Sequence, residues 1–211
     1  MAAYNLKQND FGLLSMMVQL YYFLKMYDKS INYFNKRDSL NINQTIENNI
    51  IKYNASFAFL GKRDFKKGFE LYETRLENNN INVQTGLKER ADVPIDNWNG
   101  VDKCDNLLVI YEQGYGDNIQ YYRFIIELSI LYPEMKIDYF CKKEINHIFK
   151  EYENIKIVNN VFTNKYKYKT FIISLPRILK LTNIQPNVTN YIKVNNNKLT
   201  YWNKKCNSFK K

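Results

Sequence analysis

The N-terminal part of the chain carries hydrophobic residues at helical spacing. Residues 12–34 read as two helical segments with a short break before Tyr27, and the apolar residues of the first segment share one broad face. Residues 47–60 predict a third helix, Gly61 a turn, and residues 65–76 a fourth helix. The pattern therefore predicts two consecutive pairs of helices.

An internal repeat relates these two pairs of helices. Similar side chains recur 38 positions apart: Tyr27 and Phe65, Ser30 and Gly68, Ile31 and Phe69, Phe34 and Tyr72. A tetratricopeptide repeat has a period of 34 residues and places a small residue where its helices cross closely, which Ser30 and Gly68 would provide. The four additional residues fall in the Asn-rich link near residues 41–49. Two ordinary helical hairpins are the alternative interpretation.

The C-terminal half alternates short apolar runs with helical patterns. The runs predict strands at 107–111, 136–140, 155–158 and 169–173. The patterns between and after them predict helices at 117–131, 143–151 and 176–182. Strands that alternate with helices favour an α/β fold with a parallel sheet and right-handed crossovers.

The stretch after the first of these strands carries most of the candidate chemistry. It reads Glu-Gln-Gly-Tyr-Gly-Asp-Asn-Ile-Gln over residues 112–120. Gly114 and Gly116 are expected either to take positive φ or to let a ligand approach closely, and Asp117 is expected at a helix N-cap. A turn at the carboxyl end of a strand is where open α/β sheets bind their ligands.

The net charge of the chain adds little to the prediction of its partners. A formal net charge of +10 would suggest a nucleic acid or membrane partner. The lysines are scattered, however, except for a cluster in the last eight residues, and a bias toward Asn, Lys, Ile and Tyr accounts for them. The apolar run at residues 11–27 is interrupted and short for a membrane span. We therefore predict neither a nucleic acid partner nor a membrane span.

Cysteine and histidine usage narrows the chemistry further. Cys104, Cys141 and Cys206 are far apart, so neither a disulfide framework nor a zinc site is predicted, and a reducing, cytoplasmic compartment fits best. His147 is the single histidine, which excludes a metal site built from several histidines and a Ser-His-Asp triad within one chain. No metal and no cofactor are predicted.

The order of motifs resembles a known family. The motifs are Gly68-Phe-Glu-Leu-Tyr-Glu-Thr-Arg75, Pro94 with Trp98-Asn-Gly100, Leu107-Leu-Val, the 112–120 stretch with Arg123, Ser174-Leu-Pro-Arg177, and Tyr191-Ile. They resemble tetratricopeptide-repeat proteins that carry a glycosyltransferase-like domain of the GT-B type, distantly similar to heptosyltransferases and O-linked N-acetylglucosamine transferases. The resemblance runs from about residue 12 to Trp202.

The resemblance implies a domain order and a missing part. It assigns residues 1–80 to tetratricopeptide-like repeats, 81–104 to a linker that Trp98 packs onto the lobe, and 105–211 to the acceptor-side Rossmann-like lobe. In this family a second lobe binds the nucleotide of the sugar donor, and the matching sequence ends near Trp202. We therefore expect a glycosyltransferase-like protein that is incomplete or inactive alone. A nucleotide sugar would be its substrate only if a second lobe is supplied, for example by a separate donor-lobe chain.

The resemblance also implies residue roles. Asp117 matches the Gly-Asp carboxylate that is the proposed base in the heptosyltransferase relatives, although an N-cap is the alternative and one residue can fill both roles. The candidate substrate-binding residues are Glu112, Gln113, Gly114, Gly116, Asn118 and Gln120.

Two further alternatives stay open. Glu112 is either a ligand contact or a buried partner of Arg123, and Arg123 is either structural or a diphosphate ligand. For the whole chain, the second hypothesis is a non-catalytic interaction module that binds a protein partner through a groove in residues 12–76.

Overall fold

The computed structural model describes residues 10–40, 45–77, 93–183, 188 and 190–208. The chain divides into two compact units. The helical unit comprises Met1–Pro94 and Ile173–Gln185, and the sheet unit comprises Ile95–Ile172 and Pro186–Lys211.

Two helical hairpins form most of the helical unit. Their helices are α1 (Phe11–Phe23), α2 (Tyr27–Asp38), α3 (Thr45–Gly61) and α4 (Phe65–Tyr72). A 3₁₀ turn, Glu73–Leu76, continues α4. Aspartates cap the start of α1 and α4, since Asp10 accepts from Leu13 N–H at 2.8 Å and Asp64 from Lys67 N–H at 3.1 Å. Such caps stabilise a helix by about 1 kcal/mol each. The four helices expected from the hydrophobic spacing are confirmed.

The two hairpins turn in the same way, 38 positions apart. Lys25 and Arg63 both take positive φ, 56° and 64°. Equivalent backbone hydrogen bonds close the turns: Met26 N–H to Tyr21 C=O at 2.8 Å, and Asp64 N–H to Phe59 C=O at 3.0 Å. The repeat in the sequence is therefore also a repeat of backbone conformation.

Small residues lie where the paired helices cross. A Cβ on Gly68 would lie 2.6 Å from Leu60 Cδ2, too close for any side chain to fit without a shift. Ser30 is fully buried, and its hydroxyl donates to Val18 C=O at 2.8 Å. The core between the hairpins is apolar and comprises Val18, Phe34, Ile51, Ala55, Phe59 and Leu71.

Each hairpin also ends in a buried arginine. Arg37 and Arg75 are again 38 positions apart, and both are at most 1% exposed. Arg37 Nε donates to Ser15 Oγ at 2.9 Å, and Arg75 Nη2 donates to Ser174 Oγ at 2.9 Å. Buried guanidinium groups need such partners, because an unpaired buried charge is costly.

The last part of the helical unit corrects one prediction. The helix expected at 176–182 is only a single turn, α6, Leu175–Ile178. Lys180 takes positive φ (53°), a conformation that an α-helix cannot include, so the chain turns away there.

The sheet unit is built on a parallel sheet. Its strands are β1 (Asp96–Asn97), β2 (Asn106–Ile110), β3 (Lys136–Phe140), β4 (Ile155–Val158) and β5 (Tyr168–Phe171). Their order is β1-β5-β2-β3-β4, and every pair is parallel. Residues 107–110 of the central strand β2 are fully buried, as their unbroken apolar run predicts. The α/β class is confirmed.

Helices of the sheet unit agree only partly with the sequence analysis. The helix α5 (Tyr115–Leu131) is present, but the helix expected at 143–151 is wrong, since this stretch contains only the 3₁₀ turn Asn146–Ile148. Phe149 bridges to Ile192 in antiparallel pairing there, which takes its backbone out of any helix.

Two elements of this unit were not expected. The strand β1 lies in the predicted linker, of which residues 81–92 lie outside the described residues. Trp98 follows β1 and packs within the sheet unit, where its backbone N–H donates to Lys169 C=O at 2.7 Å and its indole N–H donates to Asp102 C=O at 2.9 Å. The second element, α7 (Asn196–Ser208), buries no residue. None of the helices in the described ranges is both long and apolar enough to cross a membrane.

Candidate functional site

The turn at residues 111–114 follows the carboxyl end of the central strand β2. From β2 the chain passes through α5 to β3 on one side of β2, whereas β5 pairs with β2 on the other side. Open α/β sheets bind their ligands outside the carboxyl ends of their strands, so the predicted ligand-binding turn lies at that end of the sheet.

The conformation of this turn differs from the expected one. Gln113 takes positive φ (58°), whereas Gly114 is extended, with φ −83° and ψ 175°. Gly116 already belongs to α5, and the positive-φ glycine among the described residues is Gly100. The prediction of positive φ at the two glycines of the turn is therefore wrong, because the chain reverses one residue earlier. Close approach by a ligand stays a prediction for both.

Asp117 caps the helix, but from a different position than expected. The N-cap of α5 is Gly114, and Asp117 lies at the third helical position. Its Oδ2 accepts from Gly114 N–H at 3.0 Å, as the third-position carboxylate of a capping box does. The other oxygen, Oδ1, has no hydrogen bond within the described part of the chain. Asp117 is half-buried, so the residue is partly open to solvent.

Asn118 holds the turn in place. It is fully buried, and its Nδ2 donates to Glu112 C=O at 2.9 Å and to Gly114 C=O at 2.5 Å. Its Oδ1 accepts from the Tyr139 hydroxyl at 2.8 Å. One amide therefore ties the end of β2 to the start of α5 and to β3. Direct contact with a substrate stays a prediction for Asn118, whereas its role in positioning the turn is observed.

Burial keeps the groups around Asn118 neutral. Desolvation raises the pKa of Tyr139 well above its usual value and also raises the pKa of Tyr122, whose ring centroid lies 5.5 Å from that of Tyr139. Burial raises the pKa of the Cys141 thiol to about 11. The Tyr139 hydroxyl thus remains a donor to Asn118 at neutral pH, and the turn keeps its shape.

The two alternatives for Glu112 and Arg123 are partly resolved. Glu112 is fully buried. The Arg123 guanidinium carbon lies 4.7 Å from the centroid of the Phe124 ring, and its Nε has no hydrogen-bond partner among the described residues. The Arg123 guanidinium therefore lies beside the Phe124 ring of the same helix, which favours the structural role.

The accessible side of the turn is polar and open. A Cβ on Gly116 would meet no atom within 4 Å, and Gly114, Gly116 and Gln120 are all exposed. The first turn of α5 therefore offers free space, backbone N–H groups at a helix N-terminus and an amide side chain. Amides at a helix N-terminus bind anions or electronegative oxygens well.

Lys142 is a residue of this region that the sequence analysis missed. Its Nζ lies 5.0 Å from the centroid of the Tyr115 ring and 5.6 Å from that of Tyr111. Lys142 follows the carboxyl end of β3, which is adjacent to β2. That placement could have been predicted from the parallel sheet. It gives the turn a cation in addition to the Asp117 carboxylate.

A cavity lies at the opposite end of the sheet, and its buried carboxylate has a structural explanation. The cavity has a volume of about 380 Å³ and is lined by residues at the amino ends of the strands, among them Asn106 and Lys136. The buried Asp138 within it accepts from the Tyr166 hydroxyl at 2.7 Å and pairs with Lys165. These contacts fasten the segment before β5 to the sheet, so Asp138 is already satisfied.

In the described ranges, no three His, Cys, Asp or Glu side chains are grouped closely enough to hold a metal ion. The turn offers a carboxylate, a cation, helix N-terminal amides and an amide side chain. This set can bind a hydroxyl-rich or anionic ligand and can accept a proton from a hydroxyl.

Comparison with known proteins found no family model, no curated protein and no solved structure that matches the chain.

Proposed function

We propose that the protein is glycosyltransferase-like, with a tetratricopeptide-like arm and the acceptor-side lobe of a GT-B sugar-transfer site. The observation that carries this proposal is the turn at the carboxyl end of β2, where Asp117 has one carboxylate oxygen held by a hydrogen bond and the other without one. The motif resemblance at residues 112–120 supports the same assignment.

In this proposal Asp117 is the base for the acceptor hydroxyl. Its Oδ2 is held by Gly114 N–H, which fixes the carboxylate, and Oδ1 accepts the proton. Gln113, Gly114, Gly116 and Gln120 line the acceptor, while Glu112 and Asn118 hold the turn from behind. Lys142 adds positive charge near the developing negative charge of a leaving diphosphate. The donor would be held by a second lobe, and transfer would require that lobe.

Saccharide binding tests the proposal without a donor lobe. Amide NMR spectra of the labelled chain would be followed during titration with monosaccharides, disaccharides and UDP-, GDP- and ADP-sugars. We expect shifts of the amides of residues 113–120. A panel that leaves every one of these amides unmoved would refute the acceptor site.

Turnover tests the catalytic form of the proposal. The assay uses the chain together with a donor-lobe chain, and the wild type must first turn over a sugar nucleotide under these conditions. Asp117→Asn keeps an oxygen that can accept from Gly114 N–H but removes the base, so this turnover should fall by about a hundredfold or more while the fold is retained. Asp105→Asn is the matched control, because Asp105 is an exposed carboxylate before β2, at the amino end. Equal activity of the two variants would exclude Asp117 as the base.

A non-catalytic interaction module is the second candidate function. The observation that favours it is a cavity of about 330 Å³ in the helical unit, lined by Phe65 and Phe69 of α4 and by Pro176 and Leu181. Lys66, Arg177 and Lys180 outnumber Glu70 at the same cavity, and the excess positive charge would suit an acidic, partly apolar peptide. In that case Lys66→Glu with Lys180→Glu should weaken binding of such a peptide, whereas Asp117→Asn should leave it unchanged.

A further inference from the structure

The charged residues of the chain are distributed unevenly along the sequence. Residues 154–211 contain eleven Lys, one Arg and no Asp or Glu, whereas residues 1–153 contain all 21 acidic residues and 19 basic ones. The net charge of +10 therefore arises entirely from residues 154–211. A bias toward lysine explains many basic residues, but it does not remove acidic residues from one part of a chain and leave them in the other. An asymmetry of this kind is typical of a segment that binds an anionic partner.

The helix α7 lies in this segment and is anchored at its start. Lys193 N–H donates to Ile148 C=O at 2.6 Å, which fastens the chain to the sheet unit just before the helix. The side chain of Asn195 then caps α7 by accepting from Lys198 N–H at 3.1 Å. None of the described residues from 193 to 208 is buried. Within the described part of the chain, α7 therefore lacks the packing that normally stabilises a helix of this length.

The surface of α7 carries apolar residues and lysines side by side. Leu199, Trp202 and Cys206 recur at spacings of three and four, so they lie along one side of the helix. Leu199 and Trp202 are 47% and 55% exposed. Lys205 stands beside them, with its Nζ 5.4 Å from the centroid of the Trp202 ring. The helix α1 also exposes apolar residues but contains no charged residue, whereas α7 offers apolar contact and positive charge together.

The type of cation favours a lipid surface over a nucleic acid. Residues 193–211 contain six Lys and no Arg. Arg is the preferred cation for nucleic acid recognition, because its planar guanidinium binds a phosphate through two hydrogen bonds. Lysines act as point charges, and a group of them on an amphipathic helix matches the charge of anionic lipid head groups. A tryptophan next to such lysines suits the boundary between head groups and acyl chains.

We propose that α7 and the lysines of residues 193–211 bind the surface of an anionic lipid bilayer. The helix lies in the plane of the surface, with Leu199, Trp202 and Cys206 at the boundary of the acyl chains and the lysines on the head groups. Because three apolar side chains bury little surface, binding requires anionic lipid and weakens as salt screens the charges. The proposal does not depend on the function of the turn at residues 112–120.

Vesicle binding by the full chain tests this surface. Co-sedimentation should show binding to vesicles of phosphatidylcholine and phosphatidylglycerol in equal amounts, and a loss of affinity as salt is added. Lys204→Glu with Lys205→Glu should raise the vesicle Kd at least about tenfold. The matched control is Lys103→Glu with Lys143→Glu, which changes the net charge equally at two exposed positions before β2 and after β3. The control should bind much like the wild type, and far-UV circular dichroism should be unchanged in both variants because all four side chains are exposed.

Tryptophan fluorescence tests whether α7 enters the bilayer surface. Trp98 is 2% exposed, so contact with lipid is open to Trp202, which is 55% exposed. Bromine quenches tryptophan by contact. Anionic vesicles that contain phosphatidylcholine with brominated acyl chains should therefore quench part of the emission of the bound chain. Trp202→Phe should remove the part that is quenched, while this variant still binds the vesicles.

Four results would overturn the proposal. The first is a wild type that does not bind the anionic vesicles at low salt. The second is an equal loss of affinity in the two lysine pairs, since net charge alone would then explain binding. The third is emission that brominated vesicles leave unquenched although the chain is bound. The fourth is binding of a fluorescent single-stranded DNA, followed by anisotropy, that requires Lys204 and Lys205 in a chain that ignores the vesicles, which would assign α7 to nucleic acid.

Discussion

The helical unit and the sheet unit achieve their order by different means. In the helical unit, structural features recur 38 positions apart in the sequence. Lys25 and Arg63 both take positive φ, and the guanidinium groups of Arg37 and Arg75 are both buried. In the sheet unit the decisive contacts are unique and long-range, such as the pairing of Leu107 with Tyr168. The helical repeat can therefore be predicted from the local sequence, whereas the candidate site forms only when the strands are paired.

Asn118 provides the sharpest test of this contrast, with the largest expected effect. Asn118→Ala removes the amide that bonds to the Glu112 carbonyl, the Gly114 carbonyl and the Tyr139 hydroxyl, which should destabilise the sheet unit by about 3 kcal/mol. Fluorescence of the buried Trp98 during urea unfolding reports on this unit. Tyr139→Phe removes one of the three contacts and should cost about 1 kcal/mol. If both variants cost the same, Asn118 would not be the residue that holds the turn.

Glycine at a helix crossing gives the corresponding test in the helical unit. Gly68→Ala places a Cβ against Leu60, 2.6 Å from Cδ2 and 3.1 Å from the backbone nitrogen, and should destabilise this unit by about 2 kcal/mol. The helical unit lacks tryptophan, so far-UV circular dichroism at increasing urea concentration is the measurement. The Trp98 transition should stay where it is. A stabilised Gly68→Ala variant would contradict the close crossing.

The same substitution in the sheet unit should have the opposite sign. Gly116→Ala meets no atom within 4 Å and adds a better helix former to the first turn of α5, so it should stabilise this unit by about 0.5–1 kcal/mol. If a ligand approaches Gly116 closely, the variant should nevertheless bind saccharides more weakly. Loss of stability in this variant would mean that the turn, and not a ligand, requires glycine there.

Alkaline pH should destabilise the sheet unit. Burial raises the pKa values of Cys104 and Cys141 to about 11, from 9.0 for an exposed thiol. Between pH 9 and pH 11 the unfolded chain loses these protons while the folded chain keeps them, so stability is complete below pH 9 and falls as the pH rises. The urea midpoint of the Trp98 transition at pH 8.5 and pH 10 measures this.

Replacing both buried cysteines by alanine is the control for the pH effect. The double variant should lose part of the decline in urea midpoint between these pH values, although it is less stable at every pH. Cys206 is exposed and should not contribute. An unchanged pH dependence in the double variant would assign the decline to other groups, such as the buried tyrosines.

The hydrophobic pattern was sufficient for most elements. Four helices of the helical unit and four strands of the sheet were predicted within a few residues, because burial of one helix face or of a whole strand imposes a period on the sequence. The helix expected at 143–151 failed because its apolar residues serve single long-range contacts, such as that of Phe149 with Tyr122. The strand β1 has two residues, too few to carry a pattern.

The candidate site was predicted in part. The position of the turn after β2 followed from the apolar run at 107–111 and the residues behind it. The sequence did not predict that Gln113 reverses the chain, that Asp117 accepts from Gly114 N–H, or that Lys142 stands beside Tyr115. Each of these depends on where β3 and α5 place their ends relative to β2.

The sequence by itself determined the helix pairs, their 38-residue repeat, the strands of an α/β unit and the chemistry available at residues 112–120. Those features are periodic or contiguous, so neighbouring residues encode them. Only the tertiary structure decided that the buried Asn118 side chain holds the turn by hydrogen bonds and that one carboxylate oxygen of Asp117 has no hydrogen bond among the described residues. It also decided that α1 exposes an uncharged apolar face. The physical reason is that burial and hydrogen-bond partners of a side chain are set by segments distant in sequence, whose positions no local pattern contains.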